Sequence, residues 1–377
     1  MTSDKIDCLL DVISMPHNLR TNRMNRTHYH PLVFFLFALG LCCFFPLLAV
    51  AQSPTSTNNT VKICEVVDGK LSVSINGDHF TTYDFTSHAK PVFYPVLGPQ
   101  QLPMTRGFPL EPATTEQKDH PHQKSIWTGH IINGVDFWTE KGGSVQHQEF
   151  LTKTDSSFTV RNHWVQKGKQ EPMLSDETTY RFGGDPTQTY RWLDAEIKLI
   201  ASHGDFTLSD TKEGLFAIRT HPALRLKPFK KAKPKLQFES HPEAINSEGV
   251  SGKSIWGQKA KWVAYAGAIR RDSETVETRS VYFFDHPNNF GHPTTWQARE
   301  YGLVAANPFG LHYFQDKPKG FGSHTIKNGE SITLRYRVVF HSSVEKSSKS
   351  DVKLKSEMID AMFERFASPK LTATSGS

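Results

Sequence analysis

Val61, Ile63, Glu65 and Val67 alternate with Lys62, Cys64 and Val66, and Leu71, Val73 and Ile75 alternate with polar neighbours. Successive side chains of a strand point to opposite faces, so this two-residue period marks half-buried strands. Asn76-Gly77 follows at once and residues 80–85 resume the alternation, which predicts a hairpin. The same pattern returns at 91–97, 145–151, 158–165, 177–182, 190–200, 215–220, 262–269, 279–285 and 331–341, in short runs bounded by Gly, Pro, Asn or Asp. No helical period recurs between these runs and no fixed repeat is present, which argues against βαβ units and against a propeller. The expectation is an all-β protein, a large antiparallel sandwich over 61–345. One helix stands out at the end: Leu354, Met358, Met362 and Phe366 recur every four residues beside Ile359 and Phe363, opposite Lys353, Lys355, Glu357 and Glu364. It is predicted over 350–367, capped by Ser350 or Asp351 and covering a sheet edge or barrel end.

The flanks read differently. Residues 32–50 are almost wholly apolar, follow Arg20, Arg23 and Arg26, and end in Ala49-Val50-Ala51. This is the pattern of a secretory signal peptide over 1–51, with Pro46 and the small-residue end favouring cleavage over anchoring. The segment ahead of it is long and holds Asp4, Asp7 and Asp11; a start at Met24 would leave a more usual one. Cleavage removes Cys8, Cys42 and Cys43, so Cys64 is left without an internal disulfide partner or a cysteine zinc site. The expectation is a secreted or periplasmic protein with no membrane insertion after cleavage, a disordered leader at 52–60 and a loose tail at 368–377.

With 377 residues, 37% hydrophobic, the chain can bury a full core unaided. The net charge of +6 owes much to five lysines between Lys227 and Lys235, read as a solvated loop. No nucleic-acid motif accompanies them.

Site chemistry concentrates between Lys118 and Trp138. His120 and His122 are two apart, a spacing that lets imidazoles in an extended segment converge. His130, Trp127, Asp136 and Trp138 lie close by, and Asn133-Gly134 is a turn that brings the last two back toward the histidines. Tryptophans with carboxylates and amides are the make-up of a sugar subsite. Of the adjacent Phe137 and Trp138, one is expected to belong to the core, because neighbouring strand residues face opposite ways. Two further groups stand apart in sequence: Lys212-Glu213 before an apolar run, and Asp285, His286, Asn289, Trp296 and Arg299. Beyond residue 51, five His-Pro pairs punctuate the loops. Walker A, dinucleotide, zincin and nucleophile-elbow patterns are all absent.

The segments DHPHQKSIWTGHIINGVDFW (119–138), DTKEGLFAIR (210–219) and the run from Phe284 to Gly310, with Trp256, Trp262 and Tyr265, resemble the PmoA family, DUF6807. That family more often has a second His or an Arg where Gln123 and Lys124 stand. The resemblance implies a galactose mutarotase-like β-supersandwich. The reading that follows is a protein that binds and transforms a sugar or glycoside by epimerisation, elimination or hydrolysis. His120, His122, Glu213 and His286 are the candidate catalysts, with Asp136 as an alternative base. Trp127, His130, Asn133, Asp136, Trp138, Lys212, Asp285, Asn289, Trp296 and Arg299 are the candidate substrate contacts. This reading requires no cofactor. Two alternatives remain open: a non-catalytic carbohydrate-binding protein, and a metal-dependent oxygenase in which His120, His122 and Glu213 hold the ion.

Overall fold

The alternating runs fold as antiparallel strands, and Asn76-Gly77, with φ of 56° and 84°, makes the two-residue turn between Lys70–Ile75 and Asp78–Asp84. The computed structural model describes residues 60–65, 69–232, 235–346 and 353–368; the expected signal peptide, nearly all of the leader and all but the first residue of the tail lie outside these. One sheet has eight strands in the order Val61–Glu65, Lys70–Ile75, Asp78–Asp84, Val92–Val96, Ile126–Thr128, Phe216–Arg219, Leu303–Ala306 and Trp296–Ala298. A second sheet of nine runs Gln237–Phe238, Trp262–Arg270, Thr275–Asp285, Ser331–Lys346, Tyr190–Ile200, Pro172–Gly184, Ser157–Gln166 and Gly143–Lys153, with Glu243–Asn246 also on Trp262–Arg270. A small sheet joins His324–Ile326, Phe206–Leu208, Ile131–Ile132 and Val135–Asp136.

The fold is therefore an all-β antiparallel sandwich with a C-terminal helix. Alternation divides each sheet. Phe93, Ile126, Phe216 and Val304 of the first sheet join Leu193, Ile197, Phe283 and Phe340 of the second in the main core. Their strand neighbours Val92, Trp127, Ala217, Leu303 and Ala305 form a separate cluster on the outer face of the first sheet.

The helix spans Ser356–Ala367, shorter at its start than predicted, with Lys355 at the cap position and Ser350 and Asp351 outside the described residues. Leu354 lies ahead of the helix, its N–H donating to Glu243 Oε1 at 2.6 Å. The helix covers a sheet face and not an edge: Ile359, Met362 and Phe363 pack on Trp262, Ala264, Tyr282, Phe284 and Val339 of the second sheet. Met358, expected in the apolar stripe, is 40% exposed. No described helix is long and apolar enough to cross a membrane.

Strand register lays one row of residues across the outer face of the first sheet. Lys70 pairs with Asp84, Asp84 with Val92, Val92 with Trp127, Trp127 with Ala217, Ala217 with Ala305, and Ala305 with Gln297.

Candidate functional site

The segment after Trp127 folds back over that row. Asn133 and Gly134, with φ of 48° and 80°, turn the chain between Ile131–Ile132 and Val135–Asp136. Asp136 then fixes the next bend, accepting from the Thr139 N–H at 2.8 Å and from the Thr139 hydroxyl. Gly129 permits the return: a Cβ there would lie 3.2 Å from the Phe137 carbonyl oxygen. Trp138 consequently meets Trp127 edge to face at 5.2 Å, and Glu140 arrives beside two lysines.

Lys90 donates to the Trp138 carbonyl at 2.7 Å and lies 3.1 Å from Glu140, while Lys124 reaches both Glu140 oxygens at 2.9 and 2.7 Å. Lys90 is 1% exposed, and burial lowers its ammonium to about 8 against the pull of Glu140. Burial alone would raise Glu140, but the two lysines outweigh it and hold the carboxyl below its usual range. At His122 burial, helped by Lys90 and His120, lowers the ring to about 4. Beside this cluster a cleft of about 480 Å³ is lined by Asp84, His88, Val92, Tyr94 and Lys124.

A second ionic knot adjoins the first. Asp119 accepts from Arg106 Nη1 at 2.6 Å, Arg219 Nη2 at 3.1 Å and His120 Nδ1 at 2.9 Å. Burial works against its charge, but His120, Arg219 and Arg106 prevail and keep it well below the carboxylate range. Arg219 is itself lowered to about 9 by burial, with Arg106 adding to the effect. Its guanidinium lies 4.4 Å from the Tyr301 ring centre, and His120 stacks on the same ring at 5.3 Å. His120 and His122 do meet, with ring centres 5.8 Å apart, but not through the extended backbone expected before a proline. His120 has φ of 46°, held there by Asp119 on its ring and by Arg106 on its carbonyl at 3.1 Å.

At the far end of the row Gln297 donates to Glu213 Oε2 at 3.3 Å, and Lys212 lies 3.1 Å from Glu213 Oε1. Three strand steps separate Gln297 from Trp127, a span of about 14 Å. Gly214, at φ of 150°, must be a glycine, since a Cβ would sit 2.0 Å from His130 Nδ1. His130 is fully buried and donates through Nε2 to the Ser209 carbonyl at 3.1 Å, tying down the turn that presents Lys212 and Glu213. Asn133 accepts from the Thr207 N–H at 2.7 Å and serves its hairpin.

Of the third sequence group, Asp285 and His286 are not brought to this face. His286 lies on the outer face of the second sheet against Phe366 at 5.1 Å, with Nδ1 accepting from the Asn288 N–H at 3.1 Å. Asp285 is fully buried and accepts from Asn289 at 2.7 Å, His292 at 2.7 Å and the Thr294 N–H at 2.9 Å, so that it anchors a loop. Arg299 packs over Trp256 at 4.9 Å. Trp127, Trp138 and Trp296 are 1%, 0% and 0% exposed, so none presents an open ring face; Trp296 lies in the main core. Among the described residues no three His, Cys, Asp or Glu side chains gather closely enough to hold a metal ion, so His120, His122 and Glu213 do not form a ligand set. Lys90, Glu140, Arg106, Arg219 and Gln297 were not evident as site residues. Lys90 stands just before an apolar strand, where a lysine is ordinarily solvated; Arg219 and Gln297 are recruited by strand register, and Arg106 and Glu140 arrive on loops.

Residues 70–353 match DUF6807, a family of unknown function, and the chain belongs to that family. No curated protein matches the sequence. Among solved structures, one similar chain is a protein from the human microbiome named as a kojibiose phosphorylase, with 6% identity, TM-score 0.30 and coverage of 64% of this chain and 25% of that one. Another is the GH36 α-galactosidase AgaB from Geobacillus stearothermophilus, with 8% identity, TM-score 0.33 and coverage of 75% and 41%. The chain thus spans well under half of either.

Proposed function

We propose that this DUF6807 protein is an exported, carbohydrate-active protein on a galactose mutarotase-like β-supersandwich, binding a sugar or glycoside over the outer face of the first sheet. The apolar run at 32–50 and the small-residue motif after it support export. The observation that carries the reading is the cleft of about 480 Å³ at the Asp84–Val92 end of the register row, with Lys124 and its partner Glu140 on its flank. The row itself is covered, with Val92, Trp127, Ala217, Ala305 and Gln297 each 2% exposed or less, so it positions the His122–Lys90–Glu140 cluster at one end and Glu213 at the other.

Epimerisation, elimination and hydrolysis all require one proton removed and another delivered. His122, lowered to about 4, is neutral at pH 7 and accepts a proton. His120 donates through Nδ1 to Asp119, which leaves Nε2 as the atom that exchanges a proton with substrate. Glu140, fixed as a carboxylate by Lys90 and Lys124, orients a hydroxyl; Glu213 and Gln297 hold the distal end. The test is incubation with a panel of neutral and acidic glycans, followed by assays for new reducing ends, unsaturated products and epimers. His122→Ala is expected to lower turnover about 100-fold, and Glu213→Gln to raise KM with kcat little changed. Product formation unaffected by His122→Ala would remove the catalytic assignment, and saturable binding with no product would replace it by the binding alternative.

A further inference from the structure

On the opposite side of the sandwich, the outer face of the second sheet carries a separate charged pocket of about 360 Å³. Register puts Arg181, Asp194 and Arg337 in one row and Glu196 with Arg335 in the next. The end of the C-terminal helix adds Arg365 and Phe366 to the wall. Four guanidiniums therefore face two carboxylates.

The pairing is uneven. Arg337 pairs bidentately with Asp194 at 2.6 and 2.8 Å and lies over the Trp192 ring at 4.3 Å and the Phe366 ring at 5.0 Å. Glu196 is shared by Arg181 at 3.6 Å and Arg335 at 3.4 Å, both longer than a charge-assisted hydrogen bond of about 2.8 Å. Each guanidinium has five N–H donors in a planar fork suited to a carboxylate. The donors of Arg181, Arg335 and Arg365 thus exceed the acceptors that Glu196 provides. The remaining wall is of another kind: Phe366 gives an aromatic face, Asn288 an amide and Ser368 a hydroxyl. The volume lies near the lower bound for small-molecule pockets, about 300 Å³.

We propose that this pocket is a second ligand site, independent of the first-sheet face, that takes a carboxylate-bearing monosaccharide of hexuronate size. Arg335 and Arg365 receive the carboxylate, Asn288 and Ser368 the ring hydroxyls, and Phe366 the apolar face of the ring.

Titration calorimetry of the purified full chain with D-glucuronate tests it, with D-glucose and inorganic sulfate as the other arms. Saturable 1:1 binding of glucuronate is expected, at least tenfold tighter than either control. Arg365→Glu, on the exposed side of the helix, and Arg335→Ala are each expected to weaken it tenfold or more, whereas His122→Ala leaves it unchanged. Melting curves of the variants verify that they fold. Three results would overturn the assignment: no glucuronate binding by the wild-type chain, equal binding of sulfate, or binding unmoved by both arginine variants.

Discussion

Three histidines, His79, His122 and His130, are held at about 4 by burial, with Arg191 adding to the effect at the first and Lys90 and His120 at the second. In the unfolded chain each titrates near 6.5. As pH falls below that value the unfolded state takes up protons that the folded rings refuse, so stability present above about 6.5 is lost progressively toward about 4. Asp119, held low by its arginines and His120, adds a further loss in acid. Asp176 runs the other way: burial raises it to about 6, so between there and 3.8 it takes up its proton more readily folded than unfolded. One opposing carboxyl does not cancel three imidazoles. The midpoint of thermal unfolding, followed by circular dichroism, is expected to fall steadily from pH 7 to pH 4; a flat or rising profile would contradict the burial assigned to these rings.

The elements show what periodicity conveys and what it omits. The long strands were legible because their alternation runs for many residues, as in Tyr190–Ile200 and Ser331–Lys346. Ile126–Thr128 and Leu303–Ala306 were not, being short and, in the second case, buried on both faces. The C-terminal helix was legible as amphipathic, yet Leu354, Met358, Met362 and Phe366 stood as one stripe beside Ile359 and Phe363. The receiving sheet chose between them, burying Ile359 and Phe363 and leaving Met358 outward. Phe363 touches Phe284 edge to face at 5.9 Å and is 2% exposed. Phe363→Ala is expected to destabilise the protein by about 3 to 4 kcal/mol, read from urea denaturation, while Met358→Ala changes stability by less than about 0.5 kcal/mol.

At the scale of the whole molecule, the candidate site was half legible. His120 and His122 lie two apart in sequence and their rings meet in the fold, whereas Glu140 joins Lys90 through a hairpin, and Gln297 reaches Glu213 through strand order. Pairings between distant segments are invisible to local pattern, and the first sheet depends on them: Phe216–Arg219 lies between Ile126–Thr128 and Leu303–Ala306. By contrast Gly143–Lys153, Ser157–Gln166, Pro172–Gly184 and Tyr190–Ile200 pair with their immediate sequence neighbours. Loop-closure entropy favours such local pairings first. In pulse-labelled hydrogen exchange during refolding, amides of those four strands are expected to gain protection before those of Phe216–Arg219 and Leu303–Ala306; simultaneous protection would count against this order.

The row from Lys70 to Gln297 therefore carries a timing as well as a place. Its residues are supplied by segments from near the start of the described chain to beyond residue 300, and its middle strand has no partner on one side until Ala305 is present. A partly synthesised chain can possess folded hairpins and still lack this row, which is not complete until residues beyond 300 have been made.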